Sequence, residues 1–229
     1  MENLKIHPIR FGMANGYITI WEDRVVLIDT GLQGKTDLIE QALTAIGKTF
    51  RDICLIVLTH THYDHAGTAA ECKVLSGAPI AVQVAEAPIL RSGESRFPGG
   101  ATGLGRFLIG GVQKLGIGTK PFSPVEPDIL VEDELDLHPY GFPGVAIHTP
   151  GHSPGSISLL AEDGSCFPGD ILFNIFPRSV FPPFADNPEL LKEQWQILLQ
   201  RGAERFYPGH GRPFGREKIE GELAEPRGT

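Results

Sequence analysis

Between His60 and His65 the chain places three histidines and one aspartate, His60-Thr61-His62-Tyr63-Asp64-His65. An apolar run at 53–58 precedes this stretch and predicts a buried strand, and residues 67–75 after it predict a helix. Strong polar donors at a strand end make poor packing, because each buried polar atom needs a partner. They are well placed to hold metal. On extended chain His60 and His62 point the same way, and a turn into a helix swings Asp64 and His65 to the other side. One loop thus offers two pairs of ligands, and imidazole with carboxylate suits zinc, iron or manganese.

Two ions need about six to eight ligands, so the run supplies only part of a cage. Three later positions complete it, each in a Pro-Gly turn at a strand end. They are His152 in Thr149-Pro150-Gly151-His152-Ser153, Asp170 in Pro168-Gly169-Asp170, and His210 in Pro208-Gly209-His210-Gly211. Glycine there lets backbone approach a metal closely. His7, His138 and His148 lack such context. His148 alternates within a strand and is read as a hydrogen-bonded structural residue.

Three short strands are expected within 5–29, a helix over 32–46, and strands at 53–58 and 79–84 around a helix that ends near Gly77. This is an α/β pattern with crossovers. Short, turn-bounded strands at 129–137, 145–148, 156–160 and 165–167 predict an antiparallel meander. Asn187 is the expected N-cap of a helix with Pro188 in its first turn and a buried stripe of Leu191, Trp195 and Leu198. A short strand at 205–207 leads to His210, and the polar residues from Glu217 onward are expected to fray. Residues 92–128 are rich in glycine and proline. They are read as a lid or a dimer contact with a short helix at 104–115, or as an excursion covering a sheet edge.

The motifs Leu27-Ile28-Asp29-Thr30-Gly31, His60-x-His62-x-Asp64-His65, His152, Asp170 and His210, in that order over nearly the whole chain, resemble the metallo-β-lactamase superfamily. The resemblance implies an α/β fold, a four-layer αββα sandwich of two mixed β-sheets, in one domain spanning 1–229. It implies that His60, His62 and His152 hold one divalent ion, that Asp64, His65 and His210 hold a second, and that Asp170 bridges them. Zinc is the expected metal, with iron or manganese as alternatives. Asp29 is implied as a support for the metal loops rather than a ligand.

A metal-bridging hydroxide would then attack an ester, thioester or lactone carbonyl, with Asp170 and Asp64 as the protein's catalytic carboxylates. Phe173, Phe176, Phe181 and Phe184, with Arg178, are read either as a partly apolar substrate wall carrying one cation or as ordinary core and turn. Among relatives, hydroxyacylglutathione hydrolases share the seven positions but carry a helical extension that this chain is too short to hold. Acyl-homoserine lactonases are similar in size and keep all seven. True β-lactamases typically lack the Asp64-like ligand. A mononuclear iron persulfide dioxygenase of the same superfamily, a phosphodiesterase and a non-catalytic binding module stand as alternatives.

The formal charge of −8 argues against nucleic acid as a partner, which needs clustered lysine and arginine. No run approaches the roughly 18 apolar residues of a membrane span, and no signal peptide is visible. A cytoplasmic enzyme acting on a small molecule is the expectation, with a homodimer compatible. Cys54, Cys72 and Cys166 lack metal or disulfide spacing and are read as buried small residues.

Overall fold

The structure is a computed structural model and describes residues 3–96, 99–101 and 119–224. It opens with β1 (Lys5–Phe11), β2 (Ala14–Trp21) and β3 (Arg24–Ile28), joined by two-residue turns into antiparallel pairs. In the second turn Glu22 and Asp23 both have positive φ, a backbone twist that matches the flanking strands. From β3 the chain crosses through helix α1 (Thr36–Ala45) to β4 (Ile53–Val57), which lies parallel to β3. Two short helices, α2 (Tyr63–Ala66) and α3 (Ala69–Ser76), lead to β5 (Ile80–Gln83), again parallel. Strands β3, β4 and β5 read as near-continuous apolar runs because both faces of the sheet are covered.

After β5 comes a helix absent from the sequence expectation, α4 (Ala87–Ser92), then β6 (Glu94–Arg96) and β7 (Thr119–Pro121). These two strands form an antiparallel ribbon, and its outermost described pair is Arg96 with Thr119. The lid, dimer-contact and 104–115 helix expectations fall largely outside the described residues. β8 (Ile129–Val131) then completes the first sheet beside β5.

The second sheet begins with β9 (Glu134–Asp136), β10 (Gly144–His148), β11 (Ile157–Ala161) and β12 (Ser165–Phe167), an antiparallel meander. β13 (Phe173–Asn174) returns to the first sheet, α5 (Pro188–Gln200) packs outside, and β14 (Arg205–Phe206) runs parallel to β12. β15 (His210–Gly211) joins β13 and β2, and β16 (Phe214–Gly215) ends the second sheet.

The two sheets face each other across a core that includes Tyr17, Val26, Ile28, Leu55 and Val57 from the first and Ala146, Ile157, Leu159 and Phe167 from the second. Ile39 and Leu43 of α1 cover the outer face of the first sheet, in a cluster with Leu27 and Ile56. Leu191, Trp195 and Leu198 of α5 cover the second, with Leu160, Cys166 and Phe206. The order of layers is therefore helix, sheet, sheet, helix. Among the described residues no helix is long and apolar enough to cross a membrane.

One expectation is corrected. The chain does not fray at Glu217: helix α6 (Glu217–Ala224) forms, with Ile219 fully buried and Leu223, one turn later, packed beside it. Two apolar residues at i and i+4 suffice to dock a short helix whose other positions are polar. Asn187 occupies the expected N-cap position of α5 with Pro188 in its first turn, although the Asn187 side chain makes no cap hydrogen bond.

Candidate metal centre

Strand ends meet at one rim of the sandwich, and the predicted metal residues meet with them. β4 delivers Thr59 to Thr61 there, with His62 still extended at φ −65°, ψ 149°, before α2 begins. The β10–β11 connection brings His152, the turn after β12 brings Asp170, and the start of β15 brings His210. Three groups of donor atoms form, each within 4.8 Å: His60, His62 and His152; His60, His65 and Asp170; Asp64, His65 and His210. Asp170 stands between the others. Its Oδ2 lies 3.5 Å from His152 Nε2, 3.9 Å from His60 Nε2 and 3.2 Å from His210 Nε2, and its Oδ1 lies 3.3 Å from His65 Nε2. Asp64 Oδ2 is 3.6 Å from His210 Nε2.

Outer hydrogen bonds fix how the rings present themselves. His65 Nδ1 donates to Asp29 Oδ2 at 2.9 Å, His152 Nδ1 to the Phe184 carbonyl at 2.9 Å, and His210 Nδ1 to the Met13 carbonyl at 3.0 Å. Thr59 Oγ1 gives its proton to Asp29, so it accepts from His60 Nδ1 at 3.1 Å. With Nδ1 committed to these partners, each ring turns Nε2 inward, where its neutral form offers the lone pair. His62 differs, presenting Nδ1, which lies 2.8 Å from His152 Nε2.

The donor set fits a cation. His60 Nε2 and Asp170 Oδ1 are buried with no hydrogen-bond partner among the described residues. A buried acceptor without a partner is costly, and a bound metal ion supplies that partner. Burial, reinforced by neighbouring histidines, pushes His60 well below the usual imidazole range. Burial likewise lowers His62 and His152 to about 4. These rings are thus neutral near pH 7, the form that ligates metal. At His65 burial opposes protonation, but Asp170 and Asp29 outweigh it and raise the ring well above the ordinary value. His210 is raised too, with Asp170 overcoming its burial. Burial works against ionisation of Asp170, yet His210 and His65 hold its carboxyl well below the carboxylate range.

Gly209 permits this crowding. A Cβ at that position would lie 2.1 Å from Asp170 Oδ1 and 2.8 Å from the His65 ring. Beside it, the Asp29-Thr30-Gly31 turn clamps α2, with Thr30 N donating to the His65 carbonyl at 2.6 Å and Gly67 N to the Gly31 carbonyl at 2.8 Å. Asp29 itself adopts φ +58°, which aims its carboxylate at the metal loop.

Comparison with known proteins agrees with this geometry. The family profile of the metallo-beta-lactamase superfamily matches residues 10–210. The chain belongs to the metallo-beta-lactamase superfamily. Among relatives, it is 29% identical over 204 residues to the probable metallo-hydrolase MJ0888 of Methanocaldococcus jannaschii, covering 86% of this chain and 87% of that one. It is 29% identical over 223 residues to the human acyl-coenzyme A thioesterase MBLAC2, covering 90% of this chain and 76% of the relative. A solved structure of TTHA1623 in a di-iron-bound form superposes with a TM-score of 0.65 at 26% identity, covering 94% of this chain and 96% of that chain.

In this superfamily member a cavity of about 250 Å³ opens over the candidate metal residues. His62, Asp64, His152, Asp170 and His210 form its polar part, while Phe173, Pro183 and Phe184 contribute an apolar side. Phe173 stacks on the His210 ring at 4.4 Å between centroids. The predicted wall is therefore only partly assembled. Phe176 lines an adjoining groove, and Arg178 is exposed and lines neither space. Phe181 turns inward, buried edge-on against Trp195 at 5.6 Å.

Sequence reasoning missed Glu86. It is 1% exposed and joins the two loops that carry His62 and His152. Its Oε2 accepts from Thr61 N at 2.9 Å and from the Thr61 hydroxyl, and its Oε1 accepts from Ser153 Oγ at 2.6 Å and Gly155 N at 3.2 Å. One signal was available: a glutamate followed by Ala87, Pro88 and Ile89 in an apolar context has few solvent neighbours. Its partners lie 25 and more residues away, so the signal did not say what it holds.

Proposed function

We propose that this metal-dependent hydrolase holds two divalent ions and cleaves an acyl thioester or a closely related ester or lactone. His60, His62 and His152 would hold one ion and Asp64, His65 and His210 the other, with Asp170, which lies between the two groups, available to both. The observation that carries the reading is Asp170, whose two oxygens lie within 3.9 Å of histidine nitrogens from both groups. The di-iron form of TTHA1623 supports a two-metal site, and the name of the human relative supports a thioester.

When bound, the metal ions supply a water-derived nucleophile at neutral pH and a Lewis acid for the carbonyl oxygen. The protein does the remaining work. Phe173, Pro183 and Phe184 give the acyl chain an apolar surface and exclude water beside the reacting carbon. The carboxylates of Asp64 and Asp170 face the cavity, where they accept a hydrogen bond from an attacking water and orient it. As the water attacks, Asp170 takes one of its protons and then passes it to the departing sulfur or oxygen, so the products are a carboxylic acid and a thiol or alcohol.

Elemental analysis combined with a panel of acyl thioesters, esters and lactones tests this. Two metals per chain and hydrolysis led by thioesters are expected, with activity lost to a chelator and restored by metal. Asp170→Asn is expected to lower kcat by about 100-fold or more, the scale for removing a group that acts in the transition state. One iron per chain together with oxygen uptake would overturn the assignment.

A further inference from the structure

Beside the metal cavity runs a second groove of about 750 Å³, and Met13 and Ile175 line both. Three cations reach into it from separate elements: Arg10 on β1, Arg212 two residues after His210, and Lys218 in the first turn of α6. The formal charge of the protein is −8, so three cations in one groove need an explanation. Elsewhere Lys73, Arg91, Arg201 and Arg216 are each paired with a carboxylate, and cations without one, such as Lys35, Arg51 and Arg178, are scattered rather than gathered in one groove. Among the described residues Arg10, Arg212 and Lys218 have none within 4.0 Å.

Their hydrogen bonds go to neutral acceptors. Arg10 Nη1 donates to Asn15 Oδ1 at 2.7 Å and to the Gly211 carbonyl at 3.0 Å. Lys218 Nζ donates to Asn174 Oδ1 and to the Phe176 carbonyl at 3.3 Å. These bonds position two of the charges without neutralising them. Asn174 also donates through Nδ2 to the Arg212 carbonyl at 2.8 Å, tying the third cation's backbone to the same cluster. β13 and β15 set the register, pairing Phe173 with His210 and Asn174 with Gly211. One residue in each strand therefore faces the metal cavity and the next faces the cationic groove.

We propose that this groove binds a phosphate group on the part of the substrate remote from the scissile carbonyl. This rests on the thioester reading above and deepens it: the substrate is an acyl thioester whose thiol portion carries a phosphate. Three unpaired cations match a phosphate dianion, and guanidinium groups bind its oxygens in fork geometry. Exposed Met13, Ile175 and Phe176 form the apolar lining between the two ends. The groove is open, so a long flexible thiol portion can lie along it while the acyl chain enters the metal cavity.

The test uses the metal-loaded full chain and a substrate analogue that cannot be cleaved. S-methyl phosphopantetheine and S-methyl pantetheine differ only in the phosphate, and the thioether presents no free thiol to metal. Calorimetric titration is expected to show about tenfold or tighter binding of the phosphorylated compound, lost progressively with added salt. Arg212→Glu is expected to remove most of that difference while leaving the neutral compound's affinity in place. Arg212 is exposed and, among the described residues, its side chain makes no hydrogen bond or ion pair, so the variant is not expected to disturb folding. Equal affinities, or an advantage that survives in an Arg212→Glu/Lys218→Glu double variant, would overturn the proposal. Equal preference for a carboxylate-tailed thioether would overturn the assignment to phosphate. Failure of the thioester reading has a different signature: no thioester in the panel is cleaved although the tail binds as described.

Discussion

Two buried carboxylates brace the metal centre, one on each side, and they work by different means. Asp29 accepts from Thr59 N at 2.8 Å, from the Thr59 hydroxyl, and from the ring of His65. It acts directly on a metal-site side chain and, through Thr59, on the His60 ring. Glu86 touches no imidazole. Among the described residues it accepts from Thr61, Ser153 and Gly155 alone, so it fixes the backbone on which His62 and His152 stand. The difference teaches that ring orientation and loop placement are separate tasks here, given to separate side chains.

The largest effect should come from breaking the Asp29 side. Asp29→Ala leaves His65 Nδ1 and Thr59 N buried without acceptors, at about 1–3 kcal/mol for each unsatisfied group. Metal affinity is expected to fall about 10–100-fold, the scale for losing a carboxylate behind a ligating histidine. Competition with a chromogenic chelator measures this, and unchanged affinity would show that His65 does not depend on Asp29. Glu86→Gln should do less, because one side-chain oxygen remains. Thermal unfolding is expected to drop by about 1–3 kcal/mol, and the weakened metal should be the one held by His62 and His152. If Glu86→Gln instead weakened only the His65 side, the division of labour would be wrong. Thr61→Val removes one hydroxyl from the Glu86 cluster and should cost about 0.5–1.5 kcal/mol by denaturant unfolding.

Proton uptake sharpens the same contrast in metal-free protein. On the Glu86 side, burial holds His62 and His152 near 4. Below about pH 6.5 the unfolded chain then binds protons that the folded rings refuse. The stability contributed by these two rings is present above 6.5 and lost as pH falls toward 4. On the Asp29 side the sign reverses. His65 is raised well above its ordinary value despite burial, because Asp170 and Asp29 favour its charged form. Its contribution is present below 6.5 and lost as pH rises through the folded value. Histidine ring titrations by NMR should show two rings neutral down to about 4 and His65 still protonated above neutrality. Addition of zinc should abolish both behaviours.

The braces also mark how far the sequence could be read. His60, His62, Asp64 and His65 announce themselves because their chemistry and local spacing point the same way. His152, Asp170 and His210 are legible through their shared Pro-Gly turns. Asp29 was readable only through resemblance, since its partner His65 is 36 residues away. Glu86 was not readable, because its role exists only once β5 and the β10–β11 connection come together. Most strands followed from apolar runs and turn residues, but the run at 129–137, expected as one strand of an antiparallel meander, splits into β8, parallel to β5 in the first sheet, and β9 in the second. Helix α6 did not, because Ile219 and Leu223 are too sparse to dominate a polar segment. Phe181 shows the converse: a cluster of phenylalanines says that something is buried, and only packing decides which rings meet the site and which meet Trp195.

The ribbon of β6 and β7 gives the molecule a natural seam. Its register fixes Arg96 opposite Thr119, Ser95 Oγ accepts from Tyr63 N at 3.1 Å, and Ala101 N donates to the Pro183 carbonyl at 2.9 Å. The ribbon is thus fastened to the metal run, and the chain at 99–101 is fastened to the apolar side of its cavity. Loosening either attachment would therefore be felt at the His62 loop and at the Phe184 wall through the backbone, without changing any group that faces the cavity.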